Sequence, residues 1–248
     1  MTNYVLQNAG IADPKPTFQD PQNLDAQEPP KPDFKCLEVD LIGVMYTAHL
    51  AIFWLPKNPN SQKAGPSLAP GPYTPDRHLL LIGSMASLAP IPGQILYCTA
   101  KHGVLGLFRS LRSTSFVNGI RVNMLCPYFM DTPIFPAGGR ALLAGGSLGK
   151  PEDVIDAGTR LMADTRIVGR ALFVGPKIRV DDELQFVPQT SRDGKEMAVW
   201  EAYADDFEEV EAFSARMVRI LNQVEAAKGW IGWAADMLHA FTYAFRGR

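Results

Sequence analysis

The sequence predicts an α/β fold, and two observations carry that expectation. Short apolar runs of strand length (Tyr4-Val-Leu, His78 to Gly83, Gly119 to Pro127, Ala171-Leu-Phe-Val-Gly175) alternate with longer stretches at helical spacing. Such alternation puts helices on the faces of a mostly parallel sheet. The run Ser84-Met-Ala-Ser-Leu-Ala-Pro-Ile-Pro-Gly-Gln-Ile-Leu-Tyr97-Cys-Thr-Ala-Lys101 then joins the end of one strand to the start of one helix. It sets a Ser, a Tyr and a Lys at that junction.

In chain order, the Tyr4 strand leads into Asn8-Ala-Gly10. Residues 11–33 are rich in Pro, Asp and Gln and read as a surface loop. Phe34 to Leu55 carries Leu37, Leu41, Val44, Met45, Ala48, Ile52 and Leu55 at helical spacing, with Asp33 as its cap and Pro56 as its stop. The six prolines from Pro56 to Pro75 mark an insertion-like loop. Thr99 to Val117 is a helix whose apolar stripe is Val104, Leu105, Phe108 and Leu111. Residues 128–150 read as a loop with Phe129, Met130, Ile134, Phe135, Leu142 and Leu143. Pro151-Glu-Asp opens a helix well, with Pro in its first turn and acids at its N-terminus. Residues 196–211 hold seven acids and no base, interleaved with Trp200, Tyr203, Phe207 and Val210, and read as an amphipathic helix. Gly229 to Phe245 is aromatic and apolar. It has four uses open to it: docking as core, capping a substrate mouth, joining subunits, or lying on a membrane surface.

Tyr97 and Lys101 share a helix face at i and i+4. A nearby ammonium favours phenolate and draws the Tyr pKa down from about 10. Tyr97 is therefore a candidate proton donor or acceptor for a carbonyl or carbinol oxygen, and Ser84 a candidate ligand of the same oxygen. Spacing alone is weakly specific; the alternative is an amphipathic helix with a snorkelling Lys. Cys98 reads either as a small buried filler or as a redox thiol. His102 reads as a packed helical residue or a base.

Taken in order, Asn8-Ala-Gly10, Leu37 to Val44, Ser84, Tyr97, Lys101, and Gly119-Ile-Arg-Val-Asn-Met-Leu-Cys-Pro127 through Asp131-Thr132-Pro133 resemble the short-chain dehydrogenase/reductase family, read from its fourth strand onward. The likeness spans about residues 3–176. It implies a partial doubly wound, Rossmann-like parallel sheet lacking its first three strands over residues 1–180. Residues 181–248 would be a mostly helical C-terminal extension. It further implies that Tyr97 is the catalytic acid/base, that Lys101 tunes it and holds the nicotinamide ribose, and that Ser84 binds the substrate oxygen. Asn8, Ala9 and Gly10 would line the cofactor site, and Pro127 and Thr132 would lie over the nicotinamide. The cofactor is NAD or NADP. The family's paired helices imply a homo-oligomer.

Three departures stand out. The family's catalytic Asn aligns with Asp40, a carboxylate able to pair with Lys101 and weaken its pull on Tyr97. Tyr128 follows Pro127 where a Gly is usual, which restricts the loop backbone. Asn8 lies seven residues after Met1, and the sequence contains no Gly-x-x-x-Gly-x-Gly turn after a strand to cradle a pyrophosphate. Two explanations stay open: an incomplete gene product, or a shortened relative with weak or no dinucleotide binding. Either would leave the Tyr4 strand as an apolar edge needing cover.

The chain has 248 residues, 46% of them hydrophobic, so a core can form. A net charge of −2 implies no general attraction to nucleic acid. No Cys/His spacing suits a metal, and Cys36, Cys98 and Cys126 are too scattered for a disulfide scaffold. A reducing, cytoplasmic setting is expected, with no signal peptide and no membrane span. The apolar 128–150 loop suggests an apolar small-molecule substrate, and the resemblance to fungal-type members of the family implies one of secondary metabolism. The leading reading is an oxidoreductase interconverting a secondary alcohol and a ketone. The rival is a cofactor-independent isomerase, dehydratase or cyclase, or an inactive pseudoenzyme, built on the same fold.

Overall fold

A computed structural model describes residues 3–13, 27–29, 31–62, 64, 76–130, 146, 148–188 and 194–202, together with scattered helical positions between 213 and 238. The chain divides into two units, Met1–Ala204 and Asp205–Arg248.

The first unit is built on one five-stranded sheet: β1 (Tyr4–Gln7), β2 (Arg77–Ile82), β3 (Ile120–Pro127), β4 (Ala171–Val180) and β5 (Lys195–Ala202), in that spatial order. The first four strands run parallel, and β5 returns antiparallel on β4. Helices α1 (Lys35–Lys57), α2 (Ile95–Thr114) and α3 (Pro151–Ala163) provide the crossovers. The fold is α/β and Rossmann-like in part, as the alternation of runs predicts.

Side chains alternate across the sheet and so build two cores. Leu79 and Leu81 of β2, and Val122, Met124 and Cys126 of β3, pack with Val44, Ala48 and Leu55 of α1 and with Val104 and Phe108 of α2. On the opposite face Leu80, Leu125 and Val174 meet Ala157 and Leu161 of α3. Central parallel strands buried on both sides read as unbroken apolar runs, which is why β2 and β3 stand out in the sequence. β1 is an edge. Leu6, paired in register with Leu80, is 51% exposed, because among the described residues no element covers β1 on that face.

Helix α1 contains a π-helical turn at Glu38–Ile42, and Asp40 sits inside it, fully buried. The N-cap is Phe34 rather than the expected Asp33, which stands one residue earlier and accepts from the Lys35 N–H at 3.0 Å. The helix is long and apolar enough to cross a membrane by length and composition. Its inner face, however, is part of the sheet core, and its one buried carboxylate is ion-paired. Helices α1 and α2 approach closely at Gly103, where an added Cβ would lie 2.7 Å from Leu41 Cδ1.

Two expectations are corrected. Residues 195–202, anticipated as the start of an acidic helix, form strand β5. Ladder bonding to β4 outweighs the charge pattern there, with Val199 opposite Val174 and Trp200 opposite Phe173. Consequently the first unit runs to Ala204, not to 180. Tyr203, Phe207 and Val210 lie outside the described residues.

In the second unit the described positions are helical, including Gly229 to Ala235. Trp230 and Trp233 meet edge to face at 6.0 Å. These two, with Ile231 and Leu238, are exposed rather than packed as core. Phe241, Tyr243 and Phe245 lie outside the described residues.

Candidate active site

The carboxyl ends of β1, β2 and β3 gather the residues that carry chemistry, which is where open α/β sheets hold ligands. After β1, the Gln7 side-chain amide donates to the Ala9 carbonyl at 2.9 Å. Asn8 and Ala9 are exposed there. Gly10 faces the interior, where an added Cβ would lie 3.1 Å from Asp40 Oδ2 and 3.5 Å from Lys101 Nζ. The following strap is tied at both ends. The Ile11 N–H donates to Asp40 Oδ1 at 2.7 Å, and the Asp13 N–H to Gln94 Oε1 at 3.0 Å. Asp13 Oδ2 accepts from the Leu96 N–H at 3.3 Å, in the first turn of α2.

Ser84 follows β2 and caps a short 3₁₀ turn, Met85–Ser87. Its Oγ accepts from the Ala86 N–H at 3.1 Å, while its own N–H donates to Ser87 Oγ at 3.2 Å. With one lone pair of Oγ used this way, the Ser84 hydroxyl keeps its proton for the Tyr97 oxygen, to which it hydrogen-bonds. Gly83 permits the turn. A Cβ there would collide with Met124 Cε and stand 2.8 Å from Ser87 Oγ.

Lys101 and Tyr97 lie on the same face of α2, as their spacing predicts. The ammonium sits 5.5 Å from the Tyr97 ring centroid. It pairs with Asp40 Oδ2 at 3.3 Å, both side chains out of solvent, and reaches the Ile82 carbonyl at 3.5 Å.

The direction of the Tyr97 shift is the reverse of the one expected. Burial pushes the phenol above its usual value; the Ser84 hydrogen bond acts downward, while Asp40, Cys36 and Cys98 add to the rise. The main physical reason is burial; Asp40 adds to it, both by its own charge and by pairing with Lys101. Asp40 is itself raised, first by burial, against the opposing pull of the Ile11 N–H and of Lys101.

Cys36 and Cys126 are buried thiols pushed up to about 12, chiefly by desolvation, so neither is a thiolate at neutral pH. Cys98 exchanges contacts with Ile91, accepting from its N–H at 3.2 Å and pointing to its carbonyl at 3.7 Å. That geometry suits the filler reading. His102 is exposed, its Nδ1 2.9 Å from the Cys98 carbonyl.

Pro127 closes β3, and Tyr128 continues the ladder through its N–H to the Val174 carbonyl at 2.8 Å. The Tyr128 ring stacks edge to face on Phe129 and Phe173. Thr132, Ile134, Phe135, Leu142 and Leu143 lie outside the described residues. The structure thus brings together Gly10, Asp40, Ser84, Tyr97 and Lys101. Asn8 and Ala9 line the exposed rim at the end of β1. Sequence reasoning missed Asp13, Ser87 and Gln94. Asp13 lies 83 residues from its partner Leu96, and no local pattern signals such a contact.

These residues fit the reacting end of a nicotinamide nucleotide. The lack of a Cβ at Gly10 leaves room beside the Lys101 ammonium. That ammonium has three N–H donors; it donates to the Ile82 carbonyl and stands 3.3 Å from Asp40 Oδ2 as an ion pair.

The site thus sets Ser84, at the end of β2, beside Tyr97 and Lys101 of α2 on a mostly parallel α/β sheet. Comparison with known proteins agrees. Residues 78–140 match the short chain dehydrogenase model. The chain is 33% identical over 167 residues to a 5'-hydroxyaverantin dehydrogenase of Dothistroma septosporum, covering 64% of this chain and 51% of that protein. It is 35% identical over 151 residues to an NADP-dependent dehydrogenase of Cochliobolus lunatus, covering 58% and 51%. A solved 4-hydroxyisoleucine dehydrogenase, complexed with NADH and succinate, superposes with a TM-score of 0.51 at 18% identity, covering 70% of this chain and 66% of that one; this likeness concerns the fold. Over these stretches the chain is similar to the short-chain dehydrogenase/reductase family. It spans about half the length of the curated relatives it matches.

Proposed function

We propose that this chain carries the proton-transfer site of an NAD(P)-dependent oxidoreductase that interconverts a secondary alcohol and a ketone on an apolar small molecule. The observation that supports it is the convergence of Ser84, Tyr97 and Lys101 beside Gly10 at the strand ends. When bound, the nicotinamide supplies or accepts the hydride. Everything else falls to the chain. The Ser84 hydroxyl donates to the substrate oxygen and orients it. Tyr97 gives that oxygen its proton as the carbonyl is reduced, or takes it as the alcohol is oxidised. Lys101 offers an N–H to a ribose hydroxyl, and Asn8 to Gly10 form the wall alongside, with Pro127 beyond. Relatives named for hydroxyaverantin point to polycyclic, polyketide-like alcohols of secondary metabolism as the substrates to try.

Two further assignments belong to this reading. Three free thiols fit a reducing compartment, the cytoplasm. The outer face of α1 (Ile42, Met45, Tyr46, Leu50, Phe53 and Trp54) is exposed and apolar, and it suits a second copy of the chain. The rival, cofactor-independent chemistry or an inactive site, draws among the described residues on the carboxylate at Asp40 in place of the family's Asn.

The test is direct. Purified protein is titrated with NADPH and NADH and assayed against polycyclic secondary alcohols and ketones, alongside Tyr97→Phe. Binding of one cofactor, with turnover that falls at least ~100-fold in the variant, is the expected result. No binding at millimolar cofactor ends the redox reading, and full activity of Tyr97→Phe removes Tyr97 from the chemistry.

A further inference from the structure

We propose that Asp40 is a positioning residue that cancels the Lys101 charge and so keeps Tyr97 a proton donor, biasing the site toward carbonyl reduction at neutral pH and confining alcohol oxidation to alkaline pH. The inference rests on the oxidoreductase reading for its consequence, but its physical core concerns this chain's side chains alone.

The geometry is a closed set. Asp40 is fixed twice: its Oδ1 by the Ile11 N–H at 2.7 Å and its Oδ2 by Lys101 Nζ at 3.3 Å. It is held inside the protein by a π-helical turn, so it cannot swing to solvent. Lys101 is equally buried and has no other carboxylate partner among the described residues. An ammonium standing alone stabilises a neighbouring phenolate; an ammonium and carboxylate 3.3 Å apart present a dipole whose field falls off faster.

The remaining groups facing Tyr97 do not restore a positive charge. From α1 come Cys36 and Asp40, from α2 Cys98 and Lys101, and from the end of β2 Ser84. Asp13, in the strap after β1, adds a further acid next to Cys36. His102 points outward to the Cys98 carbonyl. Only the Ser84 hydrogen bond favours the phenolate, and burial opposes it.

A proton on Tyr97 is what reduction consumes. Hydride adds to the carbonyl carbon, the C=O π pair moves to oxygen, and the phenol O–H breaks to protonate that oxygen. The resulting phenolate is then reprotonated from solvent. Oxidation needs the phenolate at the outset, and this site makes it scarce.

The test needs no cofactor. Phenolate absorbance is followed against pH in wild type and Tyr97→Phe, and their difference isolates Tyr97. The same pair is then built on Asp40→Asn, which keeps an acceptor for the Ile11 N–H. The expected result is a Tyr97 midpoint above the usual ~10, falling by about one pH unit or more in Asp40→Asn. That is a roughly tenfold gain in phenolate at fixed pH. An unmoved midpoint in Asp40→Asn overturns the proposal. If that variant fails to fold, the wild-type midpoint decides alone, and a value below ~10 overturns it. A merely structural Asp40 would change the melting temperature but not the Tyr97 midpoint. Failure of the acid/base reading shows separately, as turnover retained in Tyr97→Phe.

Discussion

Arg121 of β3 grips Asp76, at the start of β2, through two parallel hydrogen bonds, Nε to Oδ2 at 2.5 Å and Nη2 to Oδ1 at 3.2 Å, with both side chains buried. The same guanidinium donates from Nη1 to the carbonyls of Leu161, Asp164 and Ile167 and from Nη2 to that of Met162. It therefore satisfies the last carbonyls of α3, which have no partners within their helix. One residue locks the β2–β3 pair to the helix covering it. Removing one member of such a pair strands the other's charge, at a cost of about 3–5 kcal/mol. Asp76→Asn should lose that much in a urea unfolding titration. A loss below ~1 kcal/mol would show that the pair is dispensable.

His78 gives the fold a pH limit. Its ring is buried in β2 beside Asn123, and burial, aided by the Arg121 charge, lowers its pKa from 6.5 to about 3. The folded state thus binds the proton more weakly than the unfolded chain. The stability is fully present above pH ~6.5 and is lost as pH falls from there through about 3. Unfolding free energies measured across that window should decline towards acid. His78→Gln should flatten the decline, and an unchanged slope would exclude His78 as its source.

Gly83→Ala should damage both stability and the site. The new methyl meets Met124 Cε, Ser87 Oγ at 2.8 Å and Cys126 Sγ at 3.2 Å. The methionine tip can yield, but Ser87 Oγ holds the Ser84 N–H. We expect a loss of about 1–3 kcal/mol by thermal or chemical unfolding, with displacement of Ser84. A crystal structure of the variant with Ser84 unmoved would contradict the second part.

The exposed face of α1 makes a prediction about assembly. Tyr46 is 68% exposed and Leu50 53%, in a row with Phe53 and Trp54. Tyr46→Glu with Leu50→Lys should convert a dimeric species to monomer in sedimentation experiments, with secondary structure retained. The same mass for wild type and variant would place the contact elsewhere.

Much of this architecture was legible because its periods are local. Doubly buried strands read as apolar runs at His78 to Gly83 and Gly119 to Pro127, and the observed strands agree to within a residue or two. Helix α1 was visible through its spacing, and Pro56 marks where its regular α-helix gives way to a closing 3₁₀ turn, Leu55–Lys57. β5 was not, since an edge strand rich in acids carries the same composition as a solvated helix face. Its identity comes from pairing with β4.

Family, strand order of the motifs and the identities of Ser84, Tyr97, Lys101 and Asp40 are properties of the sequence alone, because they depend only on residue type and short spacing. Tertiary structure decided how those groups act on one another. The Lys101 charge is met by Asp40, 61 positions earlier, across two packed helices, and Tyr97 is partly buried. Desolvation and charge pairing depend on three-dimensional distance and burial. For that reason the sign of the Tyr97 shift, lowered on spacing alone, is raised in the folded protein.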